Sequence, residues 1–205
     1  MIEIKNLCKN YEDKVIYEGF NLSFEENQMT SIMAPSGYGK TTLLRILAGL
    51  ESYEKGEITG IEGKKIAYVF QEDRLLPWLT VRENIEYVLA SWTHKEHYDF
   101  KVEEVLKRLQ LSSVQHQPIT SLSGGMKRRV AIGRALVYEA DIVLMDEPFK
   151  GLDEMLKKQI LAYLLESHQQ RPFTLICVTH DLEEAKALGK VIEIQKEKVQ
   201  ISGKN

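Results

Sequence analysis

Hydrophobic and polar positions alternate at the start of the chain. "IEIKNL" at 2–7 has the period of two that marks a half-buried strand. Charged turn residues, "YEDK", follow at 11–14, and "VIYEGFNLSF" at 15–24 reads as further strand. "MTSIM" at 29–33 is a short apolar strand leading into a glycine-bearing loop. The period then changes. "KTTLLRILAGL" at 40–50 has helical spacing and ends near Gly49, where a glycine suits a helix C-terminus. "SYEKGEITG" at 52–60 is turn-rich, and "KIAYVF" at 65–70 is a strand that ends at Gln71.

From about Thr80 to Ala140 the pattern is helical, in "VRENIEYVLASW", "VEEVLKRLQL" and "GGMKRRVAIGRALVYEA". This stretch reads as an all-helical lobe inserted between core strands. Strands then return. "DIVLMDEP" at 141–148 is a near-continuous apolar run ending in carboxylates, as expected of a buried parallel strand. "EMLKKQILAYLLESH" is a helix, "FTLICVTH" a strand, "LEEAKALG" a helix and "KVIEIQ" a strand. Alternation at both ends predicts an α/β core with a parallel sheet.

Composition narrows the function classes. The 205 residues, 43% hydrophobic and 28% charged, suit one domain with an ample core. The net charge of -3 is spread without a basic block, so bulk electrostatics do not point to nucleic acid. No stretch approaches the roughly 20 apolar residues that span a bilayer. The N-terminus lacks the apolar core of a signal peptide. Any membrane role is therefore expected to come through a partner. Cys8 and Cys177 have no metal-ligand spacing, and their apolar contexts predict buried free thiols in a reducing cytoplasm.

The candidate chemistry starts at "APSGYGKTT", positions 34–42. It follows a strand and opens a helix, the setting of a phosphate-binding loop. Backbone N–H groups of Ala34, Pro35's neighbours Ser36 and Gly37, Tyr38 and Gly39 would face phosphate oxygens, where the helix N-terminus also favours anions. Lys40 would reach the β- and γ-phosphates, Thr41 would ligate Mg²⁺, and Thr42 would contact the α-phosphate. Two positions depart from the pattern: Ala34 replaces the first glycine, and Tyr38 a small residue. Positive φ at Ala34 would cost about 1–2 kcal/mol, negative φ little, and the sequence leaves both open. On its own the loop also fits a glycine-containing turn before a helix.

A nucleotide hydrolase also needs a carboxylate near Mg²⁺ and a group that activates water. "IVLMDEP" supplies Asp146 for the metal and Glu147 as general base. "SLSGGMKRRVAIGRAL" places Ser123, Gly124 and Gly125 at the start of a strong helix. That arrangement is either an ordinary serine-capped helix or a second anion site.

With these stretches in order, the chain resembles the nucleotide-binding subunit of an ABC transporter, from about residue 2 to residue 195. "LSGGMKRR" resembles that family's signature. The resemblance implies a P-loop NTPase (ABC ATPase) fold of α/β class. Its parts are a parallel sheet, an N-terminal antiparallel β-subdomain and a helical subdomain inserted at about 72–140. It implies ATP and Mg²⁺ as ligands, with Tyr11 stacking on adenine. Gln71 in "VFQED" touches Mg²⁺ and water and senses the membrane partner. Asp153 in "KGLD" is the D-loop aspartate, and His180 in "VTHD" contacts the γ-phosphate. Partners implied are a second copy packed head to tail upon ATP binding, integral membrane permease subunits and, indirectly, an extracytoplasmic solute-binding protein. The expected location is the cytoplasmic face of the membrane, and nucleic acid is not an expected partner. The run "LLPWLTVRENI", with "SGGM" and "DEPF", is similar to ATPases of nitrate, sulfonate, taurine and thiamine-precursor importers. Leu75, Leu76, Trp78 and Leu79 then form either a permease-docking surface or lobe core. Lys150 sits where many relatives have glycine, and the short chain predicts no C-terminal regulatory domain.

Overall fold

The computed structural model describes residues 1–12, 14–89, 95–195 and 198–202. The chain divides into two units. One comprises Met1–Tyr68, Asp141–Glu147 and Arg171–Asn205, the other Val69–Ala140 and Pro148–Gln170.

In the first unit, β1 (Ile2–Tyr11) pairs antiparallel with β2 (Lys14–Phe24). β3 (Met29–Met33) leads through the glycine-bearing loop into α1 (Lys40–Leu47). β4 (Lys55–Thr59) pairs antiparallel with β1 and completes a three-stranded sheet ordered β2-β1-β4. The turn-rich sequence of 52–60 predicts no strand there. β4 forms because β1 offers an edge, pairing Ile4 with Ile58 and Lys5 with Glu57, and edge pairing is not written in the local pattern.

The second sheet adds β5 (Ile66–Val69), β6 (Ile142–Asp146), β7 (Thr174–Val178), β8 (Lys190–Gln195) and β9 (Lys198–Ser202) in the order β5-β6-β7-β3-β8-β9. β6 and β7 are buried at every position, and β3 at four of five, so they take its centre. β3 runs parallel to β7 and β8, and β6 parallel to β7. β9, which the sequence pattern does not predict, closes the edge antiparallel to β8. Register puts Ile32 beside Val178 and Val178 beside Asp146. Three strands therefore end at one level, and their loops emerge together, the usual place for a ligand in an open parallel sheet. Leu43, Leu44 and Leu47 of α1 pack into the same core as Ile32, Leu144 and Ile176. α6 (Leu182–Ala187) is capped by Asp181, which accepts from the N–H groups of Glu183 and Glu184. Cys177 is buried as expected, while Cys8 is only half-buried.

The second unit holds α2 (Val81–Glu86), α3 (Lys95–Arg108), α4 (Gly124–Val137) and α5 (Glu154–Gln170). α2 starts at a capping box of Thr80 and Glu83. The pattern predicts one helix over 81–92. The structure ends it at Glu86 and continues as a 3₁₀ turn over Tyr87–Leu89, and residues 90–92 of the prediction lie outside the described residues. α3 begins seven residues before its apolar spacing. An ion pair holds those turns, with Arg82 bonding Asp99 at 3.1 Å, and Arg82 pairs also with Glu103 just beyond them.

Candidate functional site

The phosphate loop answers the question of its missing glycine. Gly37 (φ +83°) and Gly39 (φ +79°) carry the left-handed backbone, whereas Ala34 and Tyr38 are not among the residues with positive φ. Ala34 contributes its carbonyl, which every residue type has. Lys40 Nζ donates to that oxygen at 2.6 Å and to the Pro35 carbonyl at 2.9 Å. Pro35, Ser36 and Gly37 are exposed, and Thr41 and Thr42 half-buried. α1 has Gly39 at its N-cap and no side-chain cap. Its first-turn N–H groups are therefore left without a side-chain acceptor, as an anion site requires. Ala34→Gly should leave ATP affinity within about twofold and lower stability by only about 0.4–1 kcal/mol, through unfolded-state entropy. ATP titration and chemical denaturation check both.

Asp146 ends β6 and is 2% exposed. The Thr41 hydroxyl donates to its Oδ2 at 2.7 Å. Burial pushes the Asp146 pKa up and the Glu147 charge adds to the rise, while the Thr41 hydrogen bond and the Lys40 charge oppose it. Burial likewise pushes Lys40 down, against the pull of Glu147 and Asp146. Glu147 has φ +48°, uncommon without glycine and frequent at functional sites. Its N–H donates to the Val178 carbonyl at 2.9 Å, tying the ends of β6 and β7 together. His180 follows β7, with Nδ1 3.6 Å from Glu147 Oε1.

A hydroxyl and a carboxylate in contact beside a phosphate loop form an oxygen-only donor pair. Mg²⁺ uses that kind of set, taking one or two protein oxygens and completing its shell with phosphates and water. The residues fit that ion, with Thr41 and Asp146 to hold it. A carboxyl whose pKa is raised by folding binds protons more readily folded than unfolded. Burying its charge therefore costs stability above that raised pKa, and the cost fades as pH falls through it. Asp146→Asn should accordingly raise the melting temperature measured without nucleotide at neutral pH, and remove the dependence of ATP binding on Mg²⁺. Thermal melts and ATP titrations with and without the ion check this.

Tyr11 stands at the end of β1 with its ring partly exposed. Lys9 Nζ lies 4.6 Å from the ring centroid, a cation–π distance. Lys9 is 4% exposed and held by Glu51 at 2.9 Å and Glu54 at 3.8 Å. Nothing in the local sequence singles out Lys9, because its two acids lie more than forty residues away.

The remaining predicted residues belong to the second unit. The Ser123 hydroxyl caps α4 by accepting from Met126 N–H at 3.3 Å. Gly124 is exposed and Gly125 half-buried. A Cβ added at Gly125 would lie 3.6 Å from the Gly151 carbonyl and from Leu152, so the start of α4 lies beside the segment that leads to Asp153. Asp153 itself is exposed and accepts from Leu156 N–H at 2.9 Å. Gln71 is exposed. The segment around it is tethered by a residue the sequence reading passes over. Arg128 of α4 donates to the carbonyls of Phe70, at 2.6 Å, and of Gln71, and its Nε lies 3.3 Å from Asp73. Arg134, about one and two-thirds turns on, donates to the Arg74 carbonyl at 3.1 Å.

The chain belongs to the ABC transporter family, whose model matches residues 17–150. It is 39% identical to the aliphatic sulfonates import ATP-binding protein SsuB 2 of Pseudomonas syringae pv. tomato over 178 residues, 86% of this chain and 74% of that one. It is 37% identical to the spermidine/putrescine import ATP-binding protein PotA of Clostridioides difficile over 215 residues, 99% of this chain and 62% of that protein. The chain spans 62%, 57% and 56% of the first spermidine/putrescine and Fe(3+) relatives it matches. Among solved structures, a dimeric bacterial ABC transporter cassette, MJ0796, aligns with a TM-score of 0.89 and 30% identity over 98% of both chains. The same cassette has been solved as a post-hydrolysis dimer with ADP and Pi, and aligns at 0.88 and 29%. The α/β cassette fold and the family are those expected from the sequence.

Proposed function

We propose that this chain is the ATP-binding and ATP-hydrolysing subunit of an importer, working as a two-fold, head-to-tail homodimer. The observation that carries the reading is the 2.7 Å contact between the Thr41 hydroxyl and the buried Asp146 carboxylate, at the foot of an uncapped helix N-terminus. Lys40, Thr42 and the N–H groups of Ala34 and of 36–41 hold the triphosphate, and Tyr11 stacks on the adenine. Thr41 and Asp146 would hold Mg²⁺, which would supply charge neutralisation to the phosphates, and Gln71 is assigned to the ion and its water by the family resemblance. Glu147 accepts the proton of the attacking water, and His180 contacts the γ-phosphate. Ser123, Gly124 and Gly125 of one copy, with its Asp153, close over the ATP of the other. A two-fold contact of that kind is self-complementary, so both sites form at once. ATP then stabilises the closed dimer, and hydrolysis releases it.

The partner in the membrane is an integral permease. Among the described residues no helix is long and apolar enough to cross a membrane itself. Trp78 is 75% exposed, which favours the docking reading of the "LLPW" run over the core reading, with Leu75, Leu76 and Leu79 half-buried beside it. The solute we favour is small, of the nitrate, sulfonate, taurine or thiamine-precursor type, received through an extracytoplasmic binding protein. The sulfonate relatives support this class, although spermidine, Fe(3+) and sulfate relatives match comparably.

The test is direct. Light scattering of the purified chain with Mg²⁺ and ATP should show a mass change from one copy to two, with phosphate released at a steady rate. A constant monomer mass together with no phosphate release overturns the reading.

A further inference from the structure

The nucleotide reading leaves one buried polar group beside the phosphate loop without a task. Tyr17 on β2 is 4% exposed. Its hydroxyl donates to the Gly39 carbonyl at 2.9 Å and lies 3.5 Å from the Tyr38 carbonyl. The Gly39 carbonyl also accepts from Leu43 N–H at 2.8 Å, the first backbone hydrogen bond of α1. Two donors thus converge on one oxygen and use both of its lone pairs. The ring is itself braced by Phe20, with centroids 4.6 Å apart. Approach of hairpin and loop is close: a Cβ at Gly39 would lie 2.5 Å from Ile16 Cγ2 and 2.9 Å from the Tyr17 hydroxyl.

A trans peptide is planar, with its N–H pointing opposite to its C=O. Clamping the Gly39 carbonyl therefore sets the direction of the Lys40 N–H, the first donor of α1. We infer that Tyr17 is a positioning residue for the phosphate loop: through the Gly39 carbonyl its hydroxyl holds the Lys40 N–H aimed at the polyphosphate of the bound nucleotide. Burial pushes the Tyr17 pKa upward, so the hydroxyl keeps its proton and remains a donor at neutral pH. This role rests on the ATP reading above.

Tyr17→Phe separates positioning from packing. The ring stays, and Gly39 O keeps its bond from Leu43, so no buried acceptor is orphaned. In the full chain, KM for ATP should rise about 3- to 10-fold with kcat within about twofold, the pattern of lost uniform binding. The melting temperature without nucleotide should stay within about 2–4 °C. Amide hydrogen exchange at 39–41 should quicken while Leu44–Leu47 of α1 keep their protection. An unchanged KM in a variant of a working ATPase overturns the Tyr17 role alone, as does exchange that quickens along the whole helix. A wild-type chain that binds no ATP overturns the nucleotide reading and this role with it.

Discussion

With Glu147 as the general base proposed above, Glu147→Gln should lower the rate of phosphate release by about 10²–10⁴-fold, the usual contribution of such a group. The change is isosteric and leaves the Glu147 N–H on the Val178 carbonyl, so the unusual backbone at φ +48° persists. What it removes is the proposed proton acceptor and one negative charge. That charge pushes Asp146 up and favours the charged form of Lys40, so it is felt at both groups. A triphosphate would feel it as repulsion. The variant should therefore bind ATP at least as tightly as wild type and accumulate as an ATP-dependent dimer. Phosphate release and light scattering on the same sample check the pair. A variant that turns over at the wild-type rate would place water activation on another group, with His180, 3.6 Å away, the first to examine.

Gly39→Ala carries a large expected structural cost within the loop. Its φ of +79° strains any residue with a Cβ by about 1–2 kcal/mol. The added atom would also sit 2.5 Å from Ile16 Cγ2, and such overpacking costs a further ~1–3 kcal/mol. Together these predict a loss of about 2–5 kcal/mol, or roughly 4–20 °C in melting temperature for a chain of this size. ATP binding should fail as well, since relief of the clash moves the peptide that precedes Lys40. Gly37→Ala is the control. Its φ is +83°, but the nearest atom to a new Cβ is Lys14 Nζ at 3.9 Å, so only the strain applies. Equal melting temperatures for the two variants would show that the Ile16 contact carries no cost.

The contrast with Ala34 shows where sequence reading stops. Local chemistry singles out Lys40, Thr41, Asp146 and Glu147 as candidates, because the motif and its strand or helix lie in one short string. Whether Ala34 needs a glycine's freedom depends on a dihedral angle, and the string "APSG" is compatible with either sign. The groups that hold the site were silent for a different reason. Tyr17 meets Gly39 across 22 residues, and Arg128 meets Phe70 across 58. Each looks alone like an ordinary strand tyrosine or helix arginine. β4 was equally hidden, since its few apolar residues pair with a strand fifty positions earlier.

The sequence by itself determined the kinds of group available and their order: the glycine-bearing loop before a helix, the paired acids at a buried strand end, the serine-capped helix at Ser123 and the alternation that makes a parallel sheet. Those are properties of neighbours along the chain, set by side-chain chemistry and period. Only the tertiary structure decided that Thr41 touches Asp146, that Gly37 and Gly39 rather than Ala34 carry the left-handed turns, and that Tyr17 holds the loop. Such contacts follow from strand register and packing. Register brings the ends of β3, β6 and β7 to one level, and no single segment encodes where its partners will stop.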